Sequence, residues 1–226
     1  MSTEQVHCIL ASNAYGHYAV PMSCVHRPAS RAILSGGIFE PQTVAFMREN
    51  CGDRDIVHAG TFFGDFLPAL SAAIAPNAIL WAFEPNPESH ACATWTLRLN
   101  NISNCRLHQA GLGAERGTLP LVTHQMDDLA LGGASTFVNQ VGRSTSVGVL
   151  RVDDAVGERP VGILQLDVEH FEEQALTGAL KTIQRNRPIA ILETVPSEAW
   201  WSKHMTPLGY ERVGKVHGNT IFRAKG

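Results

Sequence analysis

Apolar runs that stop at small or acidic residues punctuate this chain. Residues 55–64 read Asp-Ile-Val-His-Ala-Gly-Thr-Phe-Phe-Gly, residues 79–87 read Ile-Leu-Trp-Ala-Phe-Glu-Pro-Asn-Pro, and residues 163–170 read Ile-Leu-Gln-Leu-Asp-Val-Glu-His. Continuous apolar runs of this length suit parallel strands covered on both faces. Their polar groups then collect at the carboxyl ends, the edge where open α/β sheets bind ligands. The pattern predicts strands over 55–60, 79–84, 105–109, 162–167 and 188–193, with helices near 65–75, 87–100 and 171–186 between them. Strand and helix in alternation imply an α/β fold around a mostly parallel sheet.

Outside this rhythm the signals are weaker. Tyr15 to Val20 suits a short strand, Gly36-Gly37 a turn, and Pro41 the first turn of a helix that runs to about Asn50. Residues 1–50 read as a flap and helix over the ligand edge, and residues 51–226 as the α/β core of one domain spanning 1–226. The stretch 117–122 suits a short returning strand. Residues 123–147, rich in Gly, Ser, Thr and Asn, read as a long loop of the kind that is functional or mobile. Val147 to Val152 suits an edge strand and Asp153-Asp154 the start of a short helix. The chain then offers a helix over 197–206 and an antiparallel pair, Tyr210–Gly214 with Thr220–Ala224. No internal repeat is visible.

Composition narrows the function classes. The net charge is −3 with charges well mixed, which argues against a broad nucleic-acid surface. The five cysteines (Cys8, Cys24, Cys51, Cys92, Cys105) are dispersed, which fits free thiols rather than a disulfide frame or a zinc site. There is no leader-like start and no apolar run long enough to span a bilayer, so a cytoplasmic protein without membrane or nucleic-acid partners is the expectation. A homo-oligomer is left open.

The distance from Gly60 to Glu84 is that of a nucleoside-binding βαβ unit. A glycine turn brings the ligand to the backbone, and a carboxylate about 20 residues on accepts from the ribose hydroxyls. Glu84 alternatively only caps a strand end. Asn86 is either an adenine contact or the cap of the following helix. At the end of the fourth strand stand Asp167, Glu169 and His170, and at the end of the fifth stands Glu193. A strand-end carboxylate or an imidazole here can serve as general base. His170 can equally face solvent, Glu169 can assist the next helix, and Glu193 can pair with an arginine. Asp167, Glu169, His170 and Glu193 also offer ligands to a divalent metal, but the spacing is not diagnostic and no metal is predicted. Trp200-Trp201 reads as core packing.

These fragments in order resemble the FkbM family of S-adenosylmethionine-dependent methyltransferases, from about Tyr15 to Glu193. The resemblance rests on Phe83-Glu84-Pro85-Asn86-Pro87, on Asp167-Val168-Glu169 with Glu172 and Leu176 after it, and on Arg187-Pro188-Ile189-Ala190-Ile191-Leu192-Glu193. Asn100-Asn101 and Ala110-Gly111-Leu112-Gly113 support it. It implies a Rossmann-like class I methyltransferase fold, doubly wound on a seven-stranded sheet with a short N-terminal flap. It implies S-adenosylmethionine as cofactor, held by His58, Gly60, Thr61, Gly64, Glu84, Pro85, Asn86, Gln109, Ala110 and Asp167. Asp167, Glu169 and His170 are then the catalytic candidates, and a hydroxyl on a small molecule (sugar, polyketide or other natural product) is the acceptor. Two departures stand out. The family's Asp-Val-Gly-Ala is Val57-His58-Ala59-Gly60 here, which replaces a fixed negative charge by imidazole, and the glycine of its Asp-x-Glu-Gly motif is His170. Both substitutions support an alternative, a non-catalytic or regulatory protein that binds the cofactor without transfer. A nicotinamide-dependent oxidoreductase ranks lower because the first turn lacks Gly-x-Gly-x-x-Gly. RNA methylation is disfavoured by the charge balance.

Overall fold

The computed structural model describes residues 6–137 and 141–225. The elements run β1 (Cys8–Asn13), β2 (Gly16–Pro21), α1 (Pro28–Leu34), α2 (Pro41–Asn50), β3 (Asp55–Ala59), α3 (Leu67–Ser71), β4 (Leu80–Phe83), α4 (Pro87–Leu99), β5 (Cys105–His108), β6 (Gly111–Leu112), β7 (Gly117–His124), β8 (Arg143–Leu150), α5 (Val152–Val156), β9 (Val161–Leu166), α6 (Glu172–Thr177), α7 (Leu180–Asn186), β10 (Ile189–Leu192), α8 (Glu198–His204), β11 (Tyr210–Val216) and β12 (Asn219–Ala224). Seven strands form the main sheet in the order β11-β12-β10-β9-β3-β4-β5. The five strands from β10 to β5 are parallel, and β12 and β11 close one edge antiparallel. This is the mixed, doubly wound α/β architecture that the apolar runs predict.

Alternation along each strand divides the core in two. Val57, Ala59, Phe83, Leu164 and Leu166 point to the face covered by the later helices, among Val152, Leu176, Ile183 and Met205. Ile56, Leu80, Ala82, Ile163 and Ile191 point to the opposite face, among Val44, Met47, Leu67 and Leu70. Two faces each lined by branched and aromatic side chains leave no solvent side, which is why the strands read as unbroken apolar runs. Trp200 and Trp201 pack against the first cluster, with the Trp201 ring centroid 4.1 Å from that of Phe222.

Several elements depart from expectation. The predicted helix 65–75 is the single turn and a half of α3, and the predicted helix 171–186 is two, α6 and α7, broken where Gly178 lies against the Gly113 carbonyl. The expected loop 123–147 is strand at both ends, with residues 123–124 closing β7, and its residues 138–140 lie outside the described residues. Its last residues begin β8, which pairs antiparallel with β7 and parallel with β6 in a separate three-stranded sheet. β1 and α1 were not foreseen; β1 pairs with β2 in a hairpin. The β2 residues Tyr18, Ala19 and Val20 are fully buried, and the Ala19 N–H donates to Thr96 Oγ1 on α4 at 3.1 Å. No helix among the described residues is long and apolar enough to cross a membrane.

Candidate active site

The carboxyl ends of β3, β4, β9 and β10 meet at one edge. Between them open two connected spaces. A narrow slot of ≈20 Å³, room for about one water molecule, lies between Gly60, Glu84, Pro85, Ala110, Gly133 and Phe137. A larger cavity of ≈340 Å³ lies beside it, against Arg27, Phe39, His58, Phe62, Asp65 and Glu193. Gly60, Gly133, Asp167 and Glu169 line both.

Gly60 is where the chain can turn and nothing larger fits. Its φ is +82°, and a Cβ there would stand 1.8 Å from the Asp167 carbonyl oxygen. Only glycine lets β3 pass this close to the end of β9. Gly64 is left-handed too, but its absent Cβ would meet Leu67 and Ala93 rather than either space. Its glycine serves the turn into α3 and helix packing, and Gly64 lines neither space. Thr61 is also turned inward: it is fully buried and its hydroxyl donates to the His58 carbonyl at 3.3 Å.

Glu84 follows β4 and is 3 % exposed. Its two oxygens accept from the Phe62 and Asn86 N–H groups, at 2.7 and 2.8 Å, and each keeps a lone pair. Burial pushes its carboxyl up to about 8, against the pull of those two donors. Asn86 resolves to the cap. Its Oδ1 accepts from the Glu88 and Ser89 N–H groups at the start of α4, and its Nδ2 donates to Ser135 Oγ at 3.0 Å. Gln109 is exposed and outside both spaces, whereas Ala110 lines the slot. The backbone after β5, not the glutamine side chain, forms that wall.

Asp167, Glu169 and Glu193 bring one oxygen each within 4.8 Å of one another, a group that could hold a metal ion. Burial, then the neighbouring Glu193, holds the Asp167 carboxyl well above its ordinary range. Glu169 is pushed up to about 7 by burial and Glu193, with Arg27 acting in the opposite sense. His170 does not join them. Its φ of +71° carries the exposed ring away from both spaces, and its Nδ1 lies 3.3 Å from Thr194 Oγ1. The catalytic role predicted for His170 therefore has no support in its position. A left-handed Glu169 followed by a left-handed His170 makes the turn, a geometry that the residue types do not announce.

His58 lies on β3, 2 % exposed, its ring stacked on Phe66 with centroids 5.3 Å apart. Its Nδ1 is hydrogen-bonded to Gln165 Oε1 on the neighbouring strand, and its buried Nε2 has no partner among the described residues. Burial lowers the imidazole to about 4, so the ring is neutral near pH 7. Asp65, buried beneath the same cavity, is pushed up to about 7 by burial.

The sequence did not mark Arg27, Phe39, Glu40, Phe62, Gln165 or His217 as lining residues. Glu40 had the one available signal, a residue directly before an N1 proline, but its side chain is placed by distant partners. Its Oε2 accepts from Thr43 Oγ1 at 2.9 Å and from Asn219 Nδ2 at 2.7 Å.

Comparison with known proteins bears on the family and the fold. The profile of the methyltransferase FkbM domain matches residues 50–210. A protein of Beauveria bassiana (strain ARSEF 2860), "Methyltransferase 1", is 30 % identical over 146 residues, covering 56 % of this chain and 58 % of that protein. The crystal structure of an FkbM methyltransferase from Methylobacillus flagellatus KT is similar with a TM-score of 0.50 and 16 % identity, over 76 % of this chain and 43 % of that one. The chain thus spans less than two thirds of the length of either. The matched region takes in the first glycine turn, Glu84, the Asp167–Glu169 turn and Glu193, the residues that frame the slot and the cavity. By the match over most of its length, the chain belongs to the FkbM methyltransferase family.

Proposed function

We propose that this protein is an S-adenosylmethionine-dependent methyltransferase that methylates a hydroxyl group of a small molecule. The observation that carries the reading is Asp167, which stands in the wall shared by the Glu84 slot and the acidic cavity. A group bound in the slot and an acceptor bound in the cavity would meet there.

The donor set suits the cofactor. It has no phosphates, and the slot among the described residues offers no cationic side chain. Glu84 retains acceptor capacity for two ribose hydroxyls, and Gly60 admits a ligand to the backbone. S-adenosylmethionine, once bound, supplies an activated methyl group, and the protein's part is alignment, desolvation and proton removal. Asp167 is placed to take the acceptor's hydroxyl proton on a carboxylate oxygen, and its raised affinity for protons makes it a stronger base when ionised. Phe39, Phe62 and Phe66 line the cavity with apolar surface that limits water.

His58 favours a second reading. A neutral ring stands where the family resemblance places an acid, which fits a protein that binds the cofactor without turning it over.

Calorimetric titration with S-adenosylhomocysteine tests the cofactor site. Micromolar-range binding is expected for the protein and at least ~10-fold weaker binding for Glu84→Ala. No heat with the folded protein would sink both readings. Binding with no methyl transfer in a broad hydroxyl-acceptor screen would leave the second.

A further inference from the structure

The larger cavity carries more hydrogen-bond acceptors than methyl transfer requires. Its lining includes the carboxyl groups of Glu40, Asp65, Asp167, Glu169 and Glu193 against one fixed cation among the described residues, Arg27. Glu40 is occupied by Thr43 and Asn219, with His217 Nε2 at 3.7 Å. The other acids border the open space.

Two independent features describe the missing partner. The first is the spacing of Asp167, Glu169 and Glu193, whose oxygens lie within 4.8 Å of one another. The three N–H bonds of an ammonium, each reaching an acceptor at about 2.8 Å, spread those acceptors roughly 4.6 Å apart. The second is His58. Because Gln165 presents its carbonyl oxygen, Nδ1 carries the imidazole proton and Nε2 keeps a bare lone pair. That nitrogen is buried without a partner on a side chain that lines this cavity. A buried acceptor without a donor is costly, and a ligand N–H or O–H would relieve it. Facing these groups are Phe39, Phe62 and Phe66. An aromatic wall suits a carbon skeleton and a nearby cation. It supplies no oxygen toward the six to eight that a calcium ion takes.

We infer that the cavity takes an amine-bearing acceptor, an amino alcohol or aminated polyol, with its ammonium on Asp167, Glu169 and Glu193 and a second donor group on His58 Nε2. The inference rests on the methyltransferase reading, which makes the bound amine a methyl acceptor. It leaves the second oxygen of Asp167 for the hydroxyl that is methylated.

The test uses the protein saturated with S-adenosylhomocysteine and two matched probes, 4-(aminomethyl)cyclohexanol and 4-(hydroxymethyl)cyclohexanol, titrated with 15N-histidine NMR as readout. The amine is expected to bind about tenfold tighter or more and to shift the His58 Nε2 resonance. Glu193→Gln, at an exposed position, is expected to cut that preference to about threefold while leaving S-adenosylhomocysteine affinity within about twofold. Equal affinities for amine and diol would overturn the inference, as would magnesium chloride alone saturating the three acids and expelling the amine. If S-adenosylhomocysteine itself does not bind, the methyltransferase reading fails. The amine–diol comparison on the free protein then still decides the chemistry of the cavity.

Discussion

Asp55 and Asp167 border two adjacent strands at opposite ends of the sheet, and they are treated in opposite ways. Asp55, at the start of β3, is fully buried and saturated with donors. Its Oδ1 accepts from the Ile79 N–H at 2.9 Å and Arg159 Nη2 at 2.8 Å. Its Oδ2 accepts from Trp81 Nε1 at 2.8 Å and Arg159 Nε at 2.5 Å. Asp167, just past β9, is packed instead against other acids and is driven toward its protonated form. A buried carboxylate ringed by donors holds a fold together. Carboxyls crowded together in a half-buried wall cost stability and are kept where they act on something else.

The comparison breaks most sharply at Gly60, because a methyl group there strikes the backbone that presents Asp167. Gly60→Ala should lower stability by about 3 kcal/mol or more and abolish ligand binding, as denaturant titration and calorimetry would register. A variant that folds and binds normally would mean the β3–β9 approach is looser than described. Next comes the pair itself. Asp55→Ala strands three donor groups and should cost about 2–4 kcal/mol. Asp167→Asn relieves repulsion and should leave stability unchanged or raise it by up to about 2 kcal/mol while removing methyl transfer. Equal losses from the two would erase the distinction.

A third effect is set by pH. Burial moves Glu84 from 4.5 to about 8 and Asp65 from 3.8 to about 7. The folded state therefore holds protons that the unfolded chain has released. Their stabilising contribution is complete below about pH 4 and is lost as pH rises through 7 to 8. Glu84→Gln sets its amide nitrogen against the Phe62 or Asn86 N–H, so its melting temperature should start below the parent's near pH 4.5 and gain on it by a few degrees by pH 8.5. A variant that instead loses ground with rising pH would place Glu84 with Asp55 among the saturated acids. The smallest effect belongs to the surface. Glu158, 91 % exposed in its pair with Arg185, should change stability by less than about 0.5 kcal/mol on truncation to Ala.

The sequence made the centre of the sheet plain because β3, β4, β9 and β10 are covered on both faces, so burial wrote itself into consecutive residues. It concealed the first half of β8, whose Arg-Ser-Thr-Ser start is mostly exposed and carries no such mark, while the second half coincides with the edge strand expected from Val147. It concealed β1 for the same reason, since among the described residues that strand pairs only with β2 and has no fully buried residue. Strand-end acids were legible because topology alone brings them to one edge. Side-chain direction was not: the left-handed turn at Glu169 and His170 separates two neighbours that read as a catalytic pair. Asn86 was legible as a residue but not in role, since capping and ligand contact ask for the same amide. Glu40 could not be found locally, because a partner 179 positions away holds it.

That last bond bears on when the site comes into being. During synthesis the β3–β4–β5 half of the sheet can pair long before Asn219 leaves the ribosome. A nascent chain stalled short of β12 would lack the Asn219 bond to Glu40, so this part of the cavity wall is completed only by the final hairpin.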